Sequence, residues 1–254
     1  MIDNNYWDVK IQKGIFLEKG AGCIEHSEMF MAVFQDAKRH SKAICVSLID
    51  MANAYGSISH PLIQFAMGWY HVPEVASDIF QHYYDVLLAC IVVPGSSNTT
   101  EIVHLGIGVF QGCTSSTSVF NLVYQLKINY TATCHNLGYK FVSCDVNLAE
   151  EVFADDDTII SELPEANQVM LTKGTEWLEW TRTSKAKPSK CRAIAFKRFD
   201  LRAKNPGKYK KLQDRQYSAY DPLLEISGRA IPCMWHDEFV MKYVGRLFQA
   251  DLNE

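Results

Sequence analysis

Two acidic positions in this 254-residue chain stand where carboxylates are costly. Asp50 ends the apolar run AICVSLID (43–50). Asp155 and Asp156, followed by Asp157, lie in a turn of EEVFADDDTII (150–160), between apolar stretches. A carboxylate at the end of a buried strand persists only if it is solvated, paired or bound to a metal. Strands that are neighbours lie about 4.8 Å apart. In that arrangement Asp50 and the Asp155–Asp156 pair can share two divalent ions about 3.5–4 Å apart, the spacing of in-line phosphoryl transfer. A donor set of oxygens alone, without His or Cys, favours Mg2+, with Mn2+ as the alternative, over zinc. Taken alone, FADDDT equally suits an Asp-rich hairpin turn.

Several elements must position these groups. Met29, Phe30, Val33, Phe34 and Ala37 recur at helical spacing and predict a helix over 27–40. The β-branched run 43–50 predicts a buried strand. Pro61 opens one helix and Pro73 another that runs to Tyr84. Leu88–Val93 and Thr100–Ile107 flank PGSSN as a hairpin. A helix is expected from Ser116 to His135, with Val119, Val123, Leu126 and Tyr130 on one face and Ser116 available as its N-cap. Two short strands enclose the acidic turn, and Pro164 starts a helix through Trp180. The strand CRAIAF (191–196), a basic polar loop and a strand near 241–245 follow. Strands alternating with helices imply an α/β or α+β chain around one central sheet.

Composition narrows the class. Apolar residues make up 48% and charged residues 21%, which excludes a disordered tail, a collagen-like fibre or a coiled coil. The longest apolar run, Val86–Val93, is far short of the roughly 20 residues of a membrane-spanning helix. The opening MIDNNYWDVK has no signal-peptide core. The eight cysteines are scattered and form no CxxC pair, which points to a reduced intracellular chain, nuclear or cytoplasmic. Net charge is −4, but Arg182–Arg215 holds 13 basic residues against two acids, a local +11, and leaves −15 on the rest. Such a block is a candidate phosphate-contacting surface, although on charge alone a solvated helix face or loop is the commoner origin.

The motifs occur in a particular order. QKGIFLEKGAGCIEH (12–26), LIDMANAYGSISH (48–60), GVFQGCTSSTSVFN (108–121), FADDDT (153–158), KPSKC (187–191) and MKYVG (241–245) together resemble the reverse transcriptase domain of non-LTR retrotransposons. The resemblance implies an α+β polymerase right hand: a palm with a ferredoxin-like sheet and helices on one face, partial fingers, and no thumb. Residues 1–42 would be a fingers segment and 43–254 the palm, with further fingers elements within 61–107. The implied activity is RNA-directed DNA polymerisation by two-metal nucleotidyl transfer. The partners would be an RNA template, a DNA primer and deoxynucleoside triphosphates, with no membrane. An inactive remnant that at most binds nucleic acid is the alternative.

Residue by residue, the resemblance makes Asp50, Asp155 and Asp156 the catalytic metal ligands for Mg2+ or Mn2+. It places Tyr55 under the incoming sugar, where a ring leaves no room for a 2′-hydroxyl. Gln111 and Gly112 would approach the nucleotide, and Lys190 would face the triphosphate. Lys242, Tyr243 and Gly245 would grip the primer end. The sequence departs from its relatives at Gly56 and Ser59, where aspartate is common, and at Phe110, where arginine is common. Asp157 adds a third acid, expected to perturb the metal pair by like-charge repulsion.

Overall fold

A computed structural model describes residues 6–14, 22–95, 98–200, 215–234, 240–243 and 246–249. Its centre is a five-stranded sheet built of β1 (Ile44–Ile49), β2 (Glu150–Phe153), β3 (Asp156–Ser161), β4 (Arg192–Asp200) and β5 (Arg215–Tyr220). The spatial order is β2–β3–β1–β4–β5, with every neighbouring pair antiparallel. The helices are α1 (Cys23–His40), α2 (His60–Trp69), α3 (Glu74–Asp85), α4 (Ser116–Thr131) and α5 (Pro164–Thr181). The path β1–α4–β2–β3–α5–β4 is the ferredoxin-like arrangement that the resemblance implies.

The alternation of side chains along β1 explains why the sheet is covered twice. Ile44 and Val46 pack with Phe30, Val33, Phe34 and Ala37 of α1, and with Ile160 and Phe196 from neighbouring strands. Cys45 and Ile49 point the other way, toward Met170 and Leu171 of α5. A strand apolar at both parities can only sit between two layers. The crossover helices α4 and α5 share one face, as expected, and α1 adds a helix on the other. Along α4 and α2, Val119, Phe120, Val123, Ile63 and Met67 close a further core cluster.

The basic stretch before Tyr220, expected as a loop, includes the strand β5. Its signal is an alternation in RQYSAY: Tyr217 and Ala219 pack on the α1 side and Tyr220 on the α5 side. Ser115 rather than Ser116 occupies the cap position of α4, and its side chain makes no capping bond. Its hydroxyl lies instead 3.2 Å from the Cys113 thiol. Trp177 is buried, as a packing residue should be, whereas Trp180 is 78% exposed. Among the described residues no helix is long and apolar enough to cross a membrane.

Candidate active site

The adjacency of β1 and β3 builds the acidic centre. Ile49 pairs with Asp157 across the two strands, which sets Asp50 beside the turn that carries Asp155 and Asp156. The electrostatics agree. Burial raises the Asp155 carboxyl above the ordinary carboxylate range, its own backbone N–H opposes this, and Asp50 adds to the rise. The surrounding protein raises Asp156 too, with Asp155 and then Asp50 contributing. Asp156 is open to solvent, which screens part of that effect. Asp155 and Asp156, both raised and both beside Asp50, form a concentration of negative charge that attracts a cation.

Asp50 is anchored through its backbone. Its N–H donates to the Cys191 thiol sulfur at 3.4 Å, and its carbonyl accepts from the Lys187 N–H at 2.9 Å. The turn of KPSKC therefore abuts the acidic centre, with Lys190 exposed on it. Tyr55 opens the short turn after β1. Its ring stacks on Phe120 of α4 at 4.4 Å, and its hydroxyl hydrogen-bonds Thr117. Burial raises the Tyr55 phenol, and the nearby Asp155 raises it further. The Gln111–Gly112 loop is tied to the same turn: the Val109 N–H donates to the Tyr55 carbonyl at 2.8 Å, and the Gly108 N–H to that of Ile58 at 2.7 Å. Gln111 and Gly112 are exposed, and Gly112 has φ +92°, a left-handed conformation in open space that suits glycine.

Asp50, Asp155, Asp156, Tyr55, the Gln111–Gly112 loop and the Lys190 turn are thus drawn to one end of the sheet. Lys242 and Tyr243 lie on Val240–Tyr243, a ribbon strand paired antiparallel with Arg246–Gln249. Gly245 and Lys208, Lys210 and Lys211 of the basic block lie outside the described residues.

Asp157 departs from the expectation that it would act on the neighbouring carboxylates by like-charge repulsion. It faces the interior, where it accepts from Lys127 Nζ at 2.6 Å and from the Tyr124 hydroxyl at 2.9 Å. Lys127 also donates to Glu150, which accepts from the Thr131 hydroxyl at 2.7 Å and pairs with His135 at 3.0 Å. Strand alternation decides this: consecutive residues point to opposite faces, so Asp157 turns inward where Asp156 turns out.

Sequence reasoning missed Gln12. Its buried side chain accepts from the Ala154 N–H at 3.0 Å and reaches the Ala154 carbonyl with Nε2 at 3.4 Å. Ala154 is left-handed, with φ 55°, and immediately precedes Asp155. The signal in the chain is the QKG motif that Gln12 opens.

Comparison with known proteins decides the family. The sequence profile of reverse transcriptase (RNA-dependent DNA polymerase) matches residues 12–220. The chain belongs to the reverse transcriptase family. It is 27% identical over 172 residues to the retrovirus-related Pol polyprotein from type-2 retrotransposable element R2DM of Drosophila melanogaster. That match covers 68% of this chain and 15% of the relative, so the chain spans a small part of that polyprotein. Among solved structures it resembles apo telomerase from Candida tropicalis, truncated from the C-terminal domain. The TM-score is 0.51 at 12% identity, covering 68% of this chain and 35% of that one. The fold of this reverse transcriptase domain is the polymerase right hand.

Reverse transcriptases generally use divalent metal ions. Among the described residues no three His, Cys, Asp or Glu side chains make a ready-made metal cage. Mg2+ does not need one, because it binds through one or two carboxylates plus waters and substrate phosphates. The oxygen-only, mutually repelling set of Asp50, Asp155 and Asp156 fits that mode.

Proposed function

We propose that this domain is an active RNA-directed DNA polymerase of a non-LTR retrotransposon, extending a DNA primer on an RNA template with deoxynucleoside triphosphates. The observation that carries the reading is the pairing of β1 with β3, which sets Asp50 against Asp155 and Asp156 at one sheet end. These three carboxylates are the ligands for two Mg2+ ions, with Mn2+ a competent substitute. Metal bound there supplies Lewis acidity to the primer 3′-hydroxyl and charge neutralisation to the triphosphate.

The chain's own groups then do the positioning. Tyr55, braced by Phe120, takes the face of the incoming sugar and excludes a 2′-hydroxyl. Gln111 approaches the nucleotide, and Gly112 beside it presents a backbone without a side-chain obstacle. Lys190 faces the triphosphate, and Lys242, Tyr243 and Gly245 hold the primer end. The basic block follows the nucleic-acid backbone. We place the activity inside the cell, in keeping with eight free cysteines.

The test is primer extension on an RNA template with Mg2+, beside Asp155→Asn. The wild-type chain should extend the primer. The variant should lose extension while keeping its fold, since it removes one charge from a repulsive set. Extension by Asp155→Asn at the wild-type rate would refute the assignment. A well-folded wild-type chain that never extends a primer would count against the active reading.

A further inference from the structure

We propose that Gln12 is a positioning residue for catalysis, through a side-chain amide that sets the turn carrying Asp155 and Asp156. The inference rests on the reading of those two aspartates as metal ligands. The turn between β2 and β3 begins with Ala154, a non-glycine residue at φ 55°. A left-handed residue with a Cβ is strained, and it persists only where neighbours hold it.

Gln12 provides that hold. Its Oε1 accepts from two backbone amides, Ala154 at 3.0 Å and Gly14 at 2.8 Å. Its Nε2 donates to the Ala154 carbonyl at 3.4 Å. One amide side chain thus satisfies both polar backbone groups of the residue before Asp155. Gln12 is 1% exposed, so water cannot replace it in these bonds.

The segment around Gln12 is itself fixed. The Lys13 N–H donates to the Val152 carbonyl at 2.7 Å, and the Val152 N–H to the Ile11 carbonyl at 2.9 Å. Residues 11–13 therefore extend the sheet beyond β2. Asn121 Nδ2 on α4 donates to the Gly14 carbonyl at 3.0 Å. A Cβ at Gly14 would come within 3.0 Å of Ala154 Cα. The contact requires glycine there, because the two backbones nearly touch. Hydrogen bonds run from α4 through Gly14 and Gln12 to the acidic turn, and α4 also carries the Phe120 that braces Tyr55. Gln12 in this way references the metal ligands to the helix that references the sugar site.

Three measurements on the full chain test this. Mn2+ affinity is read by the paramagnetic resonance of free ion, folding by urea unfolding, and turnover by kcat and KM for a deoxynucleotide. Partners that orient metal ligands change affinity or rate by about 10–100-fold. Gln12→Met keeps the volume and removes the bonds. It should lose about tenfold or more in Mn2+ affinity and in kcat, with KM within about threefold of wild type. Gln12→Glu keeps the two accepted bonds and should lose less on both readouts. Asp155→Asn is the control for the metal site.

A folded Gln12→Met chain with wild-type Mn2+ affinity and kcat overturns the inference. If Gln12→Met fails to fold, Gln12→Glu decides. A folded Gln12→Glu chain weakened in both affinity and kcat at constant KM supports the inference, and one unchanged in both overturns it. A wild-type chain that binds Mn2+ but never extends a primer defeats the proposed function, and the Mn2+ comparison alone then decides the role of Gln12. A wild type that binds no Mn2+ overturns both.

Discussion

At Tyr55 a packing contact and the proposed sugar contact fall on one side chain. Its ring is stacked on Phe120 and half-buried, so packing fixes its orientation. Tyr55→Ala should raise ribonucleotide incorporation relative to deoxynucleotide by one to a few orders of magnitude, on the order of a few kcal/mol of removed clash. Tyr55→Phe loses only the Thr117 hydrogen bond and should leave the ratio unchanged, measured by competitive incorporation. Glu151 carries a different prediction. It is fully buried on β2, and among the described residues neither carboxylate oxygen has a hydrogen-bond partner. Burial lifts it from 4.5 to about 8; Lys13 opposes the rise and Glu25 adds to it. The unfolded chain releases this proton at lower pH than the folded one. Stability from this group is therefore fully present below about pH 4.5 and is lost as pH rises to about 8. The loss is on the order of 3–5 kcal/mol. Glu151→Met should flatten the pH dependence of urea unfolding across that window and be the more stable protein at pH 8.

At the scale of elements, Lys127 does for the β2–β3 hairpin what no surface pair could. From α4 it reaches Asp157 on β3 and Glu150 on β2, and so ties both strands to one helix. All three groups are buried. Lys127 stays charged, pushed up to about 12: Asp157 and Glu150 outweigh a desolvation that alone would lower it. Removing one member of such a set leaves charge without compensation. Lys127→Met should cost about 3–5 kcal/mol in urea unfolding. The combined Lys127→Met, Asp157→Leu and Glu150→Met variant should recover most of that, because a buried ion set replaced by matched apolar volume is often neutral. A triple variant no more stable than the single one would show that the network is needed for the fold itself.

For the whole molecule, charge is the property that acts at distance. A chain of net −4 carries +11 in one stretch, so nucleic acid should meet it in a preferred orientation. Replacing Lys208, Lys210 and Lys211 with Gln should weaken template–primer binding without sequence preference. It should flatten the slope of log affinity against log salt by about 0.7–0.9 per lost phosphate contact. Binding titrations at several salt concentrations measure this directly, and an unchanged slope would make the block a solvated loop.

Most of the elements, and the identity of the acids, are legible in the chain alone. Runs such as ICVSLI and the helical spacing of Phe30, Val33, Phe34 and Ala37 act locally, and local periodicity is written in the chain. The ordered motifs point to the family, and the roles proposed for Asp50, Tyr55 and Asp155 are what their register within those motifs implies. β5 is not legible in the chain, because RQYSAY is short and Gln216, Ser218 and Ala219 are too weakly contrasted to mark two faces. Only the tertiary structure separated Asp157 from Asp155 and Asp156. The three are consecutive in the chain, yet side-chain direction along a strand depends on where the turn ends. Only the tertiary structure, too, joined Gln12 to Ala154, which lie 142 positions apart in the chain. A glutamine's amide has no local pattern to betray its partner. Its role is decided where the backbone of a distant turn leaves an N–H and a carbonyl that water cannot reach.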